Sequence, residues 1–468
     1  MVASEATPFC KTGGLADVVG SLPAALKERG EEVAVVLPAY RVNRYPAPLR
    51  EVYKDLRISL GKGYAVDLYE CVERGVPFYF VDCPELFDRN GIYNEHGRDY
   101  ADNHLRYAVL SMAAIEVARR IFRPHIVHCH DWQTGLVPLY IRQFFRNDPT
   151  FMAARVLFTI HNLGYQGSTP PSAMPDIAID PRHFHQNGVE HEGRVNLLKA
   201  GIMFSDEIST VSPTYAREIQ TPEHGFGLDG LLRWQAGRLT GIVNGVDYEE
   251  WNPETDRHLA KNFSLDDLSG KRACKRALLQ EFGLPADNLD RPLIGMVSRF
   301  ADQKGFDLVA EVAHQLARFD LQIVVLGSGE ERYEWLFRNL TGAYPRKFGN
   351  WIGFNNGVAH RVEAGADMFL MPSRYEPCGL NQIYSLRYGT LPIVRATGGL
   401  DDTIGEGTGF KFWDYAGWAL LSAVEYAMRT YADRDKWLAM MRNAMLEDWS
   451  WNASAAEYSA LYRRMSGG

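Results

Sequence analysis

An α/β fold with two doubly wound, parallel-sheet domains is predicted by three observations. At 468 residues the chain is longer than the roughly 250 to 300 that one hydrophobic core usually serves. Short β-branched runs alternate with helix-patterned stretches. One polar, turn-rich stretch, "GIVNGVDYEEWNPETDRHLAKNFSLDDLSGKRACKR", breaks that alternation near the middle before it restarts.

The strand runs are, in order, "EVAVVLP", "PHIVHCH", "RVLFTIH", "EISTVS", "LIGMVSR", "QIVVLGSG", "DMFLMPS" and "LPIVRAT". Continuous apolar strands separated by helices imply parallel sheets covered on both faces. The linker falls at about residues 240 to 246. The final "WNASAAEYSALYRRM" has helical spacing, and spacing alone does not say which half it packs on. In such sheets ligands bind beyond the carboxyl ends of the strands, so functional residues are expected just after them.

Composition narrows the function. Apolar residues make up 46% and charged residues 23%, ordinary values for a folded soluble protein. With 50 Lys and Arg against 58 Asp and Glu the formal charge is −8, which argues against nucleic acid or an anionic membrane as the main partner. Any bound phosphate then needs local positive charge. Cys10, Cys71, Cys83, Cys129, Cys274 and Cys378 form no CxxC pair, as expected in a reducing, cytoplasmic compartment. Neither a signal-peptide pattern nor an 18-residue apolar run occurs, so export and a membrane span are not indicated.

Several motifs carry chemistry. Lys11, Thr12, Gly13 and Gly14 precede "LADVVGSLPAALKERG", a helix pattern ending at Gly30. Glycines let the backbone approach an anion, helix N–H groups favour negative charge, and Lys11 adds a full charge; a plain strand-to-helix turn is the simpler reading. "ATGGLDDTI" at 396 to 404 echoes this turn. In "SRFADQKGFD", Arg299 and Lys304 share one loop at a helix start, where together they suit a diphosphate, although solvated surface charge explains them equally well. A complete GxGxxG is absent, as is GxxxxGKS/T, so dinucleotide and P-loop readings lose their main support.

"IVHCHDWQTG" suggests a metal through His128, Cys129, His130 and Asp131, but strand alternation turns Cys129 away from both histidines. Asp131 is better placed to accept hydrogen bonds from a polyhydroxylated ligand. His161 and Asn162 follow another strand, a buried structural histidine being the alternative. Asn244 lies in "NGVD", most economically a turn. In "PSRYEPCGLNQ", Glu376 suits sugar hydroxyls or a helix cap, and the backbone of residues 379 to 381 suits a phosphate. Cys378 has no base beside it in sequence and does not read as a nucleophile. Phe354, a lone aromatic, reads better as core than as a base-stacking platform.

Taken together, "SEATPFCKTGGLADVVGSLPAAL", "HCHDWQTG", "TIHNLGYQG", "VSPTYAREI", "GIVNGVD", "SRFADQKG", "AGADMFLMPSRYEPCGLNQIYSLRYGTLPIVRATGGLDDT" and "WSWNASAAEYSALYRR" resemble bacterial glycogen synthases and plant starch synthases, glycosyltransferase family 5, over almost the whole chain. The resemblance implies a GT-B fold: two Rossmann-like domains with a deep cleft between them. It also implies transfer of glucose from ADP-glucose to the nonreducing end of an α-1,4-glucan with anomeric retention, without a cofactor or metal. Domain limits are set at 1–241, joined by the closing helix 452–468, and 242–451.

By the same resemblance, Lys11, Gly13 and Gly14 hold the diphosphate or the glucose, and Arg299 and Lys304 neutralise departing ADP. Asp131, His161, Asn162, Asn244 and Glu376 hold the glucose, with the His161 region nearest the reacting carbon. Cys378, Gly379 and Leu380 act through backbone, and Phe354 stands where an aromatic stacks on adenine. Two departures stand out. "MVASEA" starts almost at the end of the first strand that such proteins usually carry, and Tyr384 replaces a second glutamate found in related GT-B families. UDP-glucose as donor, a phosphorylase, and a catalytically silent glucan-binding relative are the rival readings; oligomeric state stays open.

Overall fold

Each apolar run named above forms a strand in the computed structural model, which describes residues 1–467. The chain divides into two units: residues 1–245 together with the segment from Trp451 onward, and residues 246–450. Chain connectivity crosses between them twice.

Unit 1 opens with helix α1 (Gly14–Glu28), which buries Leu15, Val18, Val19, Leu22 and Leu26 at helical spacing and stops where Gly30 takes φ +91°. Strand β1 (Val35–Pro38) follows and is wholly buried. The next three strands correct the expectation of purely parallel sheets: β2 (Arg50–Ser59), β3 (Gly63–Glu73) and β4 (Val76–Asp82) form an antiparallel meander, and β4 joins β1 in parallel. Its logic is period two. Tyr64, Val66 and Leu68 point inward while Ala65 is exposed, and Arg74–Gly75, both at positive φ, close the β3–β4 hairpin.

Strands β5 (Ile126–His130), β6 (Arg155–Ile160), β7 (Glu207–Thr210) and β8 (Leu239–Gly241) form a parallel set of four. Val2 joins the two arrays by bridging Val36 of β1 and Cys129 of β5. The segments following Val2, β5 and β6 therefore leave neighbouring positions of the sheet, which places residues 4–14, Asp131 and His161 together. The closing helix (Trp451–Ser466) belongs to this unit, where Trp451, Ala455, Tyr458 and Leu461 pack on Val18, Leu22 and Leu26. "NGVD" is not a turn. Asn244 and Gly245 lie in no regular element or turn, Val246 bridges Ser450, and a Cβ on Gly245 would lie 2.6 Å from the Trp451 backbone.

Unit 2 is a six-stranded parallel sheet of β9 (Leu293–Val297), β10 (Gln322–Gly327), β11 (Phe348–Ile352), β12 (Met368–Met371), β13 (Leu391–Arg395) and β14 (Phe410–Phe412). Its spatial order is β11-β10-β9-β12-β13-β14, so the winding reverses between β9 and β12. Open parallel sheets hold ligands at such a reversal, beyond the carboxyl ends. The loop after β9 carries Arg299 and Lys304, and the loop after β12 carries Glu376.

Candidate active site

In unit 1 the KTGG loop is anchored by a buried acid. Glu5 is 3% exposed and accepts from the Thr12 backbone N–H and, at 2.9 and 3.0 Å, from the Thr12 hydroxyl. Burial outweighs those bonds and pushes its carboxyl up to about 7. Lys11 stays half exposed and pairs with Asp17 at 2.7 Å. Gly13 and Gly14 lie outside the left-handed region, and a Cβ at either would meet nothing within 4 Å. These glycines thus leave room beside the start of α1 that the unit's own atoms do not use. Glu5 is a residue that sequence reasoning passed over, although its signal, an acid between small residues in "SEATPF", lies within a quoted motif.

Asp131 sits at φ +57°, ψ −178°, a conformation that costs a non-glycine residue about 1–3 kcal/mol. Its buried Oδ1 accepts from the His161 backbone N–H at 2.7 Å, so this carboxylate, expected to meet ligand hydroxyls, holds the His161 loop in place. Desolvation raises it to about 7 against the hydrogen bonds from the His161 and Asn162 amides. His161 is 8% exposed, and burial lowers its imidazole to about 3, so it is neutral near pH 7. Its Nε2 lies 3.0 Å from His130 Nδ1.

His128 and His130 point to one side of β5 with ring centroids 4.1 Å apart, and Cys129 is buried on the other. His128 is spent on Tyr462 (2.7 Å) and Thr159 (2.6 Å). Among the described residues no group of three or more His, Cys, Asp or Glu could hold a metal ion. Asn162 accepts from the Gly164 amide at 2.9 Å, and the buried Asn244 leaves its Oδ1 with no partner among the described residues.

In unit 2 the two loops at the reversal are stitched together. Gly305 takes φ +74° against Pro372, whose carbonyl oxygen would lie 1.9 Å from a Cβ there. The Arg374 amide donates to the Gln303 carbonyl at 2.8 Å. This turn delivers Lys304 to Glu376 at 2.6 Å, and Ser373 donates to the same Oε2 at 3.0 Å. Glu376 Oε1 has no partner among the described residues. The helix-cap reading of Glu376 fails: helix α2 (Asn381–Arg387) begins five residues later, capped at Leu380. Arg299 is exposed on the same loop as Lys304.

Cys378 is buried, and Gly379 takes φ +72° with Gln382 donating to the carbonyls of both (3.1 and 3.0 Å). The second TGG turn differs from the first. A Cβ on Gly398, at φ +47°, would lie 1.8 Å from the Glu376 carbonyl oxygen, and one on Gly399 would lie 2.1 Å from that of Cys378. These glycines support the Glu376 loop from behind.

Phe354 corrects the core reading, being 88% exposed at the end of β11. Tyr384 is 7% exposed and stacks on Trp251 at 3.9 Å, so it is core in the position where related families place a glutamate.

The comparisons with known proteins agree with one another. Residues 1–234 match the family described as starch synthase catalytic domain, and residues 283–440 match glycosyl transferases group 1. The chain is 48% identical to the glycogen synthase of Koribacter versatilis, over 99% of this chain and 97% of that protein. It is 49% identical to the glycogen synthase of Myxococcus xanthus, over 98% of each. Among solved structures it superposes on the catalytic domain of starch synthase IV from Arabidopsis thaliana, bound to ADP and acarbose, with a TM-score of 0.92 and 32% identity, covering 100% of this chain and 99% of that one. A sucrose-phosphate synthase from Thermosynechococcus elongatus, 18% identical at a TM-score of 0.62, shares the fold.

Proposed function

Because the chain belongs to the family of starch synthase catalytic domains, we propose that it transfers glucose from ADP-glucose to the nonreducing end of an α-1,4-glucan, with anomeric retention. The observation that carries this reading is the Lys304–Glu376 pair at the reversal of the unit 2 sheet. One ammonium and one carboxylate are fixed together there, with a guanidinium on the same loop.

Lys304 and Arg299 neutralise the diphosphate as the glycosidic bond to it breaks, which is electrostatic stabilisation of a developing charge by preorganised groups. Glu376 spends Oε2 on Lys304 and Ser373 and offers Oε1 to hexose hydroxyls. The backbone of Cys378, Gly379 and Leu380 lines the same loop, and Phe354 offers an open face for the adenine. Within unit 1, Lys11 with the Gly13–Gly14 backbone is suited to an anion, and His161, Asn162 and Asn244 are suited to hexose hydroxyls, with Asp131 fixing the His161 loop. Positioning and charge neutralisation account for the rate; no side chain serves as covalent nucleophile. The acceptor hydroxyl attacks on the face that ADP leaves.

The test is glucose incorporation into glycogen from labelled ADP-glucose and, in parallel, labelled UDP-glucose. Incorporation from ADP-glucose is expected to dominate. No incorporation from either donor overturns the activity, and equal use of UDP-glucose overturns the donor assignment.

A further inference from the structure

We propose that His130 is a positioning residue that fixes His161 in its Nδ1–H tautomer, so that His161 meets the transferred sugar as a hydrogen-bond donor. This rests on the assignment of His161 to the hexose made above.

The partners of the ring nitrogens decide where the protons sit. His161 Nε2 and His130 Nδ1 are 3.0 Å apart, and one of them carries the shared proton. His130 is 0% exposed, and its Nε2 has no hydrogen-bond partner among the described residues. Its neighbour His128 cannot supply one, because both His128 nitrogens are engaged, by Tyr462 and by Thr159, and Thr159 in turn meets Ser209 at 2.6 Å. His128 lies against His130 only through its ring, with centroids 4.1 Å apart.

Both imidazoles are neutral, since burial lowers each and neighbouring histidines oppose a second charge on His130. Each ring therefore carries one proton, and two arrangements exist. In the first, His161 Nε2–H donates to His130, whose own proton sits on the buried Nε2 with no acceptor. In the second, His130 Nδ1–H donates to His161 Nε2, and only a lone pair is left unused on His130 Nε2. A buried N–H without an acceptor is the rarer and costlier defect, so the second arrangement prevails. It leaves the His161 proton on Nδ1, which makes no hydrogen bond within the described residues. The side chain that sequence reading weighed as a metal ligand thus decides whether His161 donates or accepts.

The test combines two substitutions with a spectroscopic readout. His130→Asn places an amide N–H where Nδ1–H stands, while His130→Leu fills the space without a donor. In the glycogen incorporation assay His130→Leu is expected to lose at least about tenfold in kcat with the KM for glycogen unchanged, and His130→Asn to recover most of it. In 15N-histidine-labelled full-length protein, His161 is expected to show a protonated Nδ1 and an unprotonated Nε2. Equal losses in the two variants, or a wild-type spectrum with the proton on Nε2, overturn the proposal. That spectrum decides even if His130→Leu does not fold. Full activity of His161→Ala would sink the assignment of His161 to the hexose, while the spectrum still reports the tautomer separately.

Discussion

Glu5 shows how much a single buried residue sets the behaviour of the KTGG loop. Its carboxyl is raised from 4.5 to about 7 by desolvation, so the folded state holds the proton more tightly than the unfolded chain does. The stability this contributes is present at low pH and is lost as pH rises from about 4.5 to about 7. Asp131, raised from 3.8 to about 7, acts in the same direction. Glu5→Gln keeps an oxygen for Thr12 and removes the titration. Denaturant unfolding across pH 4 to 8 should show the wild-type decline shrinking by about 3 kcal/mol in the variant. An unchanged pH profile would mean that Glu5 is not buried as an acid.

At the scale of elements, the two TGG turns look alike in sequence and do different work. Gly13 has open space where a Cβ would stand, whereas Gly398 is left-handed and backed by the Glu376 carbonyl. Gly398→Ala should therefore destabilise unit 2 by on the order of 2 kcal/mol or more and weaken turnover with it, by displacing Glu376. Gly13→Ala should leave stability unchanged. Thermal and denaturant unfolding of the two variants checks this, and equal stabilities would refute the distinction.

The same pair marks the limit of sequence reading. Continuous apolar runs announced the inner parallel strands, because burial on both faces leaves an unbroken apolar pattern, whereas the edge strands β8, β11 and β14 carry no such run and are not legible in this way. The meander of β2 to β4 escaped because its buried face shows only every second residue, as in "YAVDLYECV". "NGVD" has turn composition yet forms no turn, and Gly245 serves a close backbone approach instead. Phe354 could not be read as exposed from its type alone. Lys304 and Glu376 were each legible as residues that follow strands, but their 2.6 Å pairing depends on the reversal between β9 and β12, a contact 72 residues apart in sequence. The His130–His161 contact, 31 residues apart, is of the same kind.

For the whole molecule, a net charge of −8 makes the local cations decisive. In an acidic protein an anionic nucleotide needs local cations, and Arg299, Lys304 and Lys11 are the ones proposed above to meet it. Unit 2 concentrates two of these on one loop beside the fixed Glu376, and unit 1 presents the third ahead of α1. Among the described residues no helix is long and apolar enough to cross a membrane. The most direct measurement is the steady-state rate of Lys304→Gln with ADP-glucose and glycogen, because glutamine keeps an N–H for Glu376 while removing the charge. Loss of about 2 to 4 kcal/mol of transition-state stabilisation, roughly thirty- to thousandfold in kcat with an unchanged melting profile, is the predicted result. A kcat within about twofold of the wild type would contradict charge neutralisation by Lys304 as the source of catalysis.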